Sequence, residues 1–77
     1  MRLIAFYTFF ELKDAIGLEK KIKNFFKNIV TKGNILVGSE GLNGTIAIPE
    51  LYEQKTINFL KEIGVKENHI KYSNFDS

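Results

Sequence analysis

With 77 residues and no cysteine, the chain has room for one domain and excludes disulfides, thiolate nucleophiles and zinc–thiolate sites. Its 44% hydrophobic and 26% charged composition is that of an ordinary globular domain, and a net charge of +2 does not by itself imply a nucleic-acid partner. No apolar run approaches a membrane span, and Met1 to Tyr7 is too short and too aromatic for a secretory leader, so a cytoplasmic chain with no membrane partner is expected.

Residues 2–10 read as the first strand. Ile4, Phe6 and Phe10 fall on one side and Leu3, Ala5, Tyr7 and Phe9 on the other. Two apolar faces predict a place in the middle of a sheet. Asp14 predicts the N-cap of a helix whose buried stripe is Leu18, Ile22, Phe25, Phe26 and Ile29. Lys32-Gly33 is expected to close it, with a cation near the C-terminus and glycine as the C′ residue. Two β-branched runs follow, Ile35-Leu36-Val37 and Thr45-Ile46-Ala47-Ile48, with Asn43-Gly44 between them. Asn-Gly so placed predicts a hairpin with a type I′ turn at that dipeptide, because both central residues need φ > 0. Gly38 and Gly41 exceed what one turn requires, and allow the backbone to bulge or to admit a neighbour closely. Pro49 and the acids Glu50 and Glu53 suit the first turn of a second helix with Leu51, Ile57, Leu60 and Ile63 as its apolar face, ended by Gly64. The last strand is expected over His69–Phe75. The order β-α-β-β-α-β predicts an α+β, ferredoxin-like split sandwich: a four-stranded antiparallel sheet with two helices on one face and the other face open.

The string Lys32-Gly33-Asn34-Ile35-Leu36-Val37-Gly38-Ser39-Glu40-Gly41-Leu42-Asn43-Gly44-Thr45 closely resembles the KGTILLAxEGINGT signature of the rhodanese-related UPF0176 family. Tyr7 with Phe9 resembles the family's aromatic-x-Phe first strand, and Lys71-x-Ser73 its later KxS. The resemblance spans essentially the whole chain. It implies an acylphosphatase-like, ferredoxin-like N-terminal domain of a protein that hydroxylates the wobble uridine of tRNA, an oxygen-dependent activity. Members of the family continue through a PFxxxxVxxKxEIV segment into a rhodanese domain carrying the reactive cysteine. Neither is present here. The expectation is a fragment or a truncated product that lacks the catalytic residue and is inactive alone, with tRNA and a rhodanese domain as partners.

No catalytic residue, metal ligand set or cofactor site is expected. Glu40, Gly41, Asn43 and Thr45 either present polar groups to RNA or to the rhodanese domain, or satisfy the turn's own backbone. Lys20, Lys23 and Lys27 recur on one side of the first helix, and six of the eleven basic residues lie between 13 and 32. Such a ridge suits phosphates, or is an ordinary solvated helix face. Tyr7 and Phe9 suit base stacking from the open sheet face, or else packing in the core or docking of the rhodanese domain. The loop Glu11-Leu12-Lys13-Asp14 is acidic and glycine-free, unlike a phosphate cradle. His69 stands without a Cys or second His and predicts no metal site. Two functions therefore stay open: a domain that positions tRNA or packs on the catalytic domain, and a protein-interaction module, weakly dimeric, with no nucleic-acid role.

Overall fold

The computed structural model describes residues 1–9 and 15–74. The elements run β1 (Arg2–Phe9), α1 (Ala15–Phe26), β2 (Lys32–Gly38), β3 (Gly41–Ile48), a 3₁₀ turn (Glu50–Tyr52), α2 (Glu53–Glu62), a second 3₁₀ turn (Glu67–His69) and β4 (Ile70–Asn74). The four strands form one sheet in the order β2-β3-β1-β4, and every neighbouring pair is antiparallel. This is the split sandwich expected from the element order. The strand with two apolar faces is indeed central. The expected N-cap Asp14 and the strand residues Phe10 and Phe75 lie outside the described residues.

The helices cover the face that carries Ile4, Phe6, Leu42, Ile46 and Ile48, all buried. Ile22 and Ile29 reach this core from α1 and its exit, and Ile57, Phe59 and Leu60 reach it from α2. Between the helices Phe25 stacks on Phe59 at 4.0 Å with ring planes 9° apart, and Phe26 meets Phe59 edge-on at 6.2 Å. Such ring pairs contribute about 0.5–1.5 kcal/mol beyond the area they bury. Arg2 ties the N-terminus of β1 to both ends of the fold, donating to the Glu53 carboxylate in α2 and to the Asn74 side chain in β4.

Three local expectations are corrected. Helix α1 ends at Phe26, not at Lys32-Gly33, because Asn28 and the β-branched Ile29-Val30-Thr31 favour leaving the helix. Gly33 sits inside β2 opposite Ile46, with φ +109°. A Cβ there would lie 2.1 Å from the Thr45 carbonyl oxygen, so the glycine permits close strand contact instead of capping a helix.

The hairpin turn is not Asn43-Gly44. It is Ser39-Glu40, flanked by the paired Gly38 and Gly41. No described non-glycine residue has positive φ, so the turn is not type I′, and the unusual backbone falls on Gly41 at φ +148°. Asn43 and Gly44 lie within β3, paired with Leu36 and Ile35 on one side and Tyr7 and Phe6 on the other. Gly44 is needed because the Phe6 ring lies across it: a Cβ would stand 2.6 Å from Phe6 Cζ.

The third correction concerns Leu51, which is 83% exposed instead of facing the core. It lies in the 3₁₀ turn, whose tighter winding rotates it off the face of α2. Thr56 and Phe59 join Ile57 and Leu60 in the buried set of that helix. Gly64 ends α2 as expected, at φ +110°. The Val65 N–H donates to Leu60 O at 2.9 Å and the Gly64 N–H to Lys61 O at 3.1 Å, a Schellman arrangement with buried Val65 and Leu60 as its apolar contact.

Candidate nucleic-acid interface

The helix-free face of the sheet follows from strand register, since directly opposed residues point to the same side. At the hairpin end one row holds Phe9, Gly41 and Gly38. The next holds Tyr7, Asn43 and Leu36, then Lys71, Ala5, Thr45 and Asn34, then Ser73, Leu3, Ala47 and Lys32. No residue in these rows is an Asp or Glu. Exposed aromatic and aliphatic groups alternate with amides, hydroxyls and two lysines.

Phe6 of β1 pairs with Ile70 of β4, which brings the preceding residue, His69, beside Tyr7. The two rings stack at 4.4 Å with planes 17° apart. Phe9 stands 5.8 Å from Tyr7, tilted by 57°. Tyr7 is 42%, Leu36 65% and Phe9 81% exposed. A groove of about 290 Å³ runs between the Tyr7–His69 stack, Asn43, Thr45 and Lys71. A second, of about 400 Å³, opens at the hairpin end between Phe9, Leu36, Gly38, Gly41 and Glu40.

The structure therefore brings Tyr7, Phe9, Asn43 and Thr45 onto one face, with Gly41 and the turn residue Glu40 at its end. Asn43 and Thr45 are strand residues aimed outward and have no part in the turn. Gly41 is obligatory for the fold, since a Cβ there would lie 2.1 Å from Thr8 O. Lys20, Lys23 and Lys27 are elsewhere. Lys20 and Lys23 on α1, and Lys27 one residue past its end, are exposed on the helix-bearing side of the sheet and not on the open face, and Lys23 borders the groove between α1 and the sheet with Ile22, Ile35 and Ile46. Lys23 also pairs with Glu19 at 3.3 Å, one turn away. His69 and Leu36 are not singled out as site residues by the sequence. Counting period two from β1 across to β4 is the signal that finds His69.

Among the described residues no three His, Cys, Asp or Glu side chains converge as a metal site. No helix of the described residues is long and apolar enough to cross a membrane.

Comparison with known proteins finds a family model and relatives along the chain. Residues 1–77 match the family model described as the UPF0176 acylphosphatase like domain. The chain is 33% identical over 79 residues to a tRNA uridine(34) hydroxylase of Wolbachia sp. subsp. Brugia malayi, a match covering 95% of this chain and 29% of that protein. It is 34% identical over 73 residues to the one from Bartonella quintana, covering 94% of this chain and 24% of that protein. For Prochlorococcus marinus strain NATL1A the values are 35% over 78 residues, 94% and 24%. The chain thus spans less than a third of the length of these curated relatives. No solved structure matches it. With a family match along its whole length and relatives aligned over nearly all of it, the chain belongs to the UPF0176 acylphosphatase-like domain family.

Proposed function

We propose that this chain positions tRNA for a tRNA uridine(34) hydroxylase-like protein of the cytoplasm, with its open sheet face turned to the RNA and the hydroxylation chemistry supplied by another domain. The observation that carries this reading is the composition of that face. Aromatic rings, amides and lysines lie together in strand rows that hold no carboxylate, with Glu40 of the turn at their hairpin end, a pattern that suits a polyanion bearing flat bases. The lysines on α1 add a sequence-independent attraction from the helix-bearing side. Packing against a rhodanese domain draws its support from other residues: Ile16, Val30 and Leu51 are 71%, 69% and 83% exposed and lie outside the sheet face.

Titrating tRNA into the chain at low and moderate salt tests the reading. Lys32→Ala with Lys71→Ala is expected to weaken binding and to lower the slope of log affinity against log salt by about 0.7–0.9 for each phosphate left without its lysine. Lys20→Ala, Lys23→Ala and Lys27→Ala together are expected to weaken it less. Absence of tRNA binding at low salt, or a weakening confined to the α1 variants, overturns the assignment of the sheet face. A dimer by light scattering that Phe9→Ser dissociates, with no RNA bound, replaces it with a protein-interaction role.

A further inference from the structure

Resting on that reading of the sheet face, we infer that its hairpin end seats one unpaired base of a single-stranded RNA segment. Phe9 forms the wall, and the bare backbone of Gly38 and Gly41 forms the floor. The Tyr7–His69 stack one row away receives the neighbouring nucleotide.

Gly38 is the residue that points to a ligand. Gly41 is glycine for the fold, as an added Cβ would meet Thr8 O at 2.1 Å. Gly38 has no such need. Its φ is not positive, and a Cβ there would meet nothing closer than Gly41 O at 4.0 Å. A glycine in a strand weakens the strand and packs nothing, so a free choice at this position favours a β-branched residue. Leaving it bare keeps open the groove of about 400 Å³ beside Phe9.

The walls suit a base. Phe9 is 81% exposed, so its ring face is available without rearrangement. Leu36 borders the floor from β2 at 65% exposure. Asn43, Ser39 and Glu40 line the same groove, and their amide, hydroxyl and carboxylate offer donors and acceptors to a base edge.

Spacing favours a single strand. Successive rows lie two residues apart along β1, about 6.8 Å, which an extended single strand spans. Bases in a duplex are about 3.4 Å apart and have both faces covered by their neighbours. Only an unpaired base can enter the groove flat against Phe9. Lys71, two rows from Phe9 and beside the Tyr7–His69 groove, then meets a phosphate of the same segment.

Fluorescence anisotropy with a short, mixed-sequence, labelled RNA, free and annealed to its complement, tests the inference on the 77-residue chain. The single strand is expected to bind at least roughly tenfold more tightly than the duplex. Gly38→Val fills the floor while suiting the strand, and is expected to lower that affinity roughly tenfold with the melting temperature unchanged or raised. Phe9→Leu keeps an apolar group, removes the ring, and is expected to weaken binding by the same order. Equal affinity for duplex and single strand overturns the inference. So does wild-type binding by both Gly38→Val and Phe9→Leu. If Lys32→Ala and Lys71→Ala still weaken binding in that case, the broader reading of the face stands and only the base seat falls. If they do not, both fall.

Discussion

Replacing Gly44 by alanine separates the structure sharply from a turn at Asn43-Gly44. The added Cβ would stand 2.6 Å from Phe6 Cζ, 3.0 Å from Phe6 Cε1 and 3.1 Å from Asn34 O. Ordinary carbon–carbon contact is about 3.5–4.0 Å, so the ring must retreat by roughly 1 Å. Phe6 is 2% exposed and packs in the main core, where such a retreat displaces other side chains. Overpacking of this kind costs about 1–3 kcal/mol, a large share of the roughly 4–11 kcal/mol available to a domain of this length. At about 4–8 °C per kcal/mol, the melting temperature should fall by about 4–24 °C. Urea unfolding followed by circular dichroism measures the loss directly. In a Phe6→Leu background the same substitution should cost at least about 1 kcal/mol less, the coupling expected of residues in contact. Asn43→Val is the control of opposite sign. Asn43 is exposed and extended in mid-strand, so valine there is neutral or stabilising by up to about 1 kcal/mol. A Gly44→Ala protein as stable as wild type, or an Asn43→Val protein weakened by more than about 1 kcal/mol, refutes the register described above.

Two further outcomes follow from the core and from β2. Thr56 is fully buried, and its hydroxyl has no hydrogen-bond partner among the described residues; Thr56→Val is expected to raise stability by about 1–2 kcal/mol, and a loss in urea unfolding shows instead that the hydroxyl is bonded. Gly33→Ala places a Cβ against the Thr45 carbonyl at positive φ and should cost at least about 2 kcal/mol, whereas a helix-cap role would cost about 1 kcal/mol.

The architecture was legible because it rests on periodicity. An apolar strand on both faces, two helical stripes and two β-branched runs admit few arrangements, and the split sandwich is the one with right-handed crossovers. The roles of individual glycines were not legible. Gly33 and Gly44 sit in sequences that read as a helix end and a turn, yet both serve close approach of a neighbouring strand. Lacking a Cβ has the same local signature whether the reason is backbone angle or a neighbour's ring, and only the register between distant segments distinguishes them. The candidate site divides in the same way. Tyr7, Phe9, Asn43 and Thr45 stand out by residue type, but their convergence depends on β1 and β3 pairing from distant parts of the chain. His69 looks isolated in the sequence for that reason; its partner is Tyr7, brought to it by the β1–β4 pairing.

The central position of β1 has a consequence during synthesis. The first strand made is the one whose two neighbours, β3 and β4, are made last. At about 5–20 residues per second, roughly 2–8 s pass between completion of β1 and of β3, and about 3–13 s before β4 is finished. Until β3 is available, Leu3 to Phe9, a segment without one charged side chain, has no sheet to join. The β2–β3 hairpin, closed by only Ser39-Glu40, can form in the meantime and offer β1 its first edge. The nascent chain is therefore most prone to aggregate between the emergence of β1 from the ribosome and that of β3, and slowing translation over that interval lengthens the exposure of its most β-prone segment.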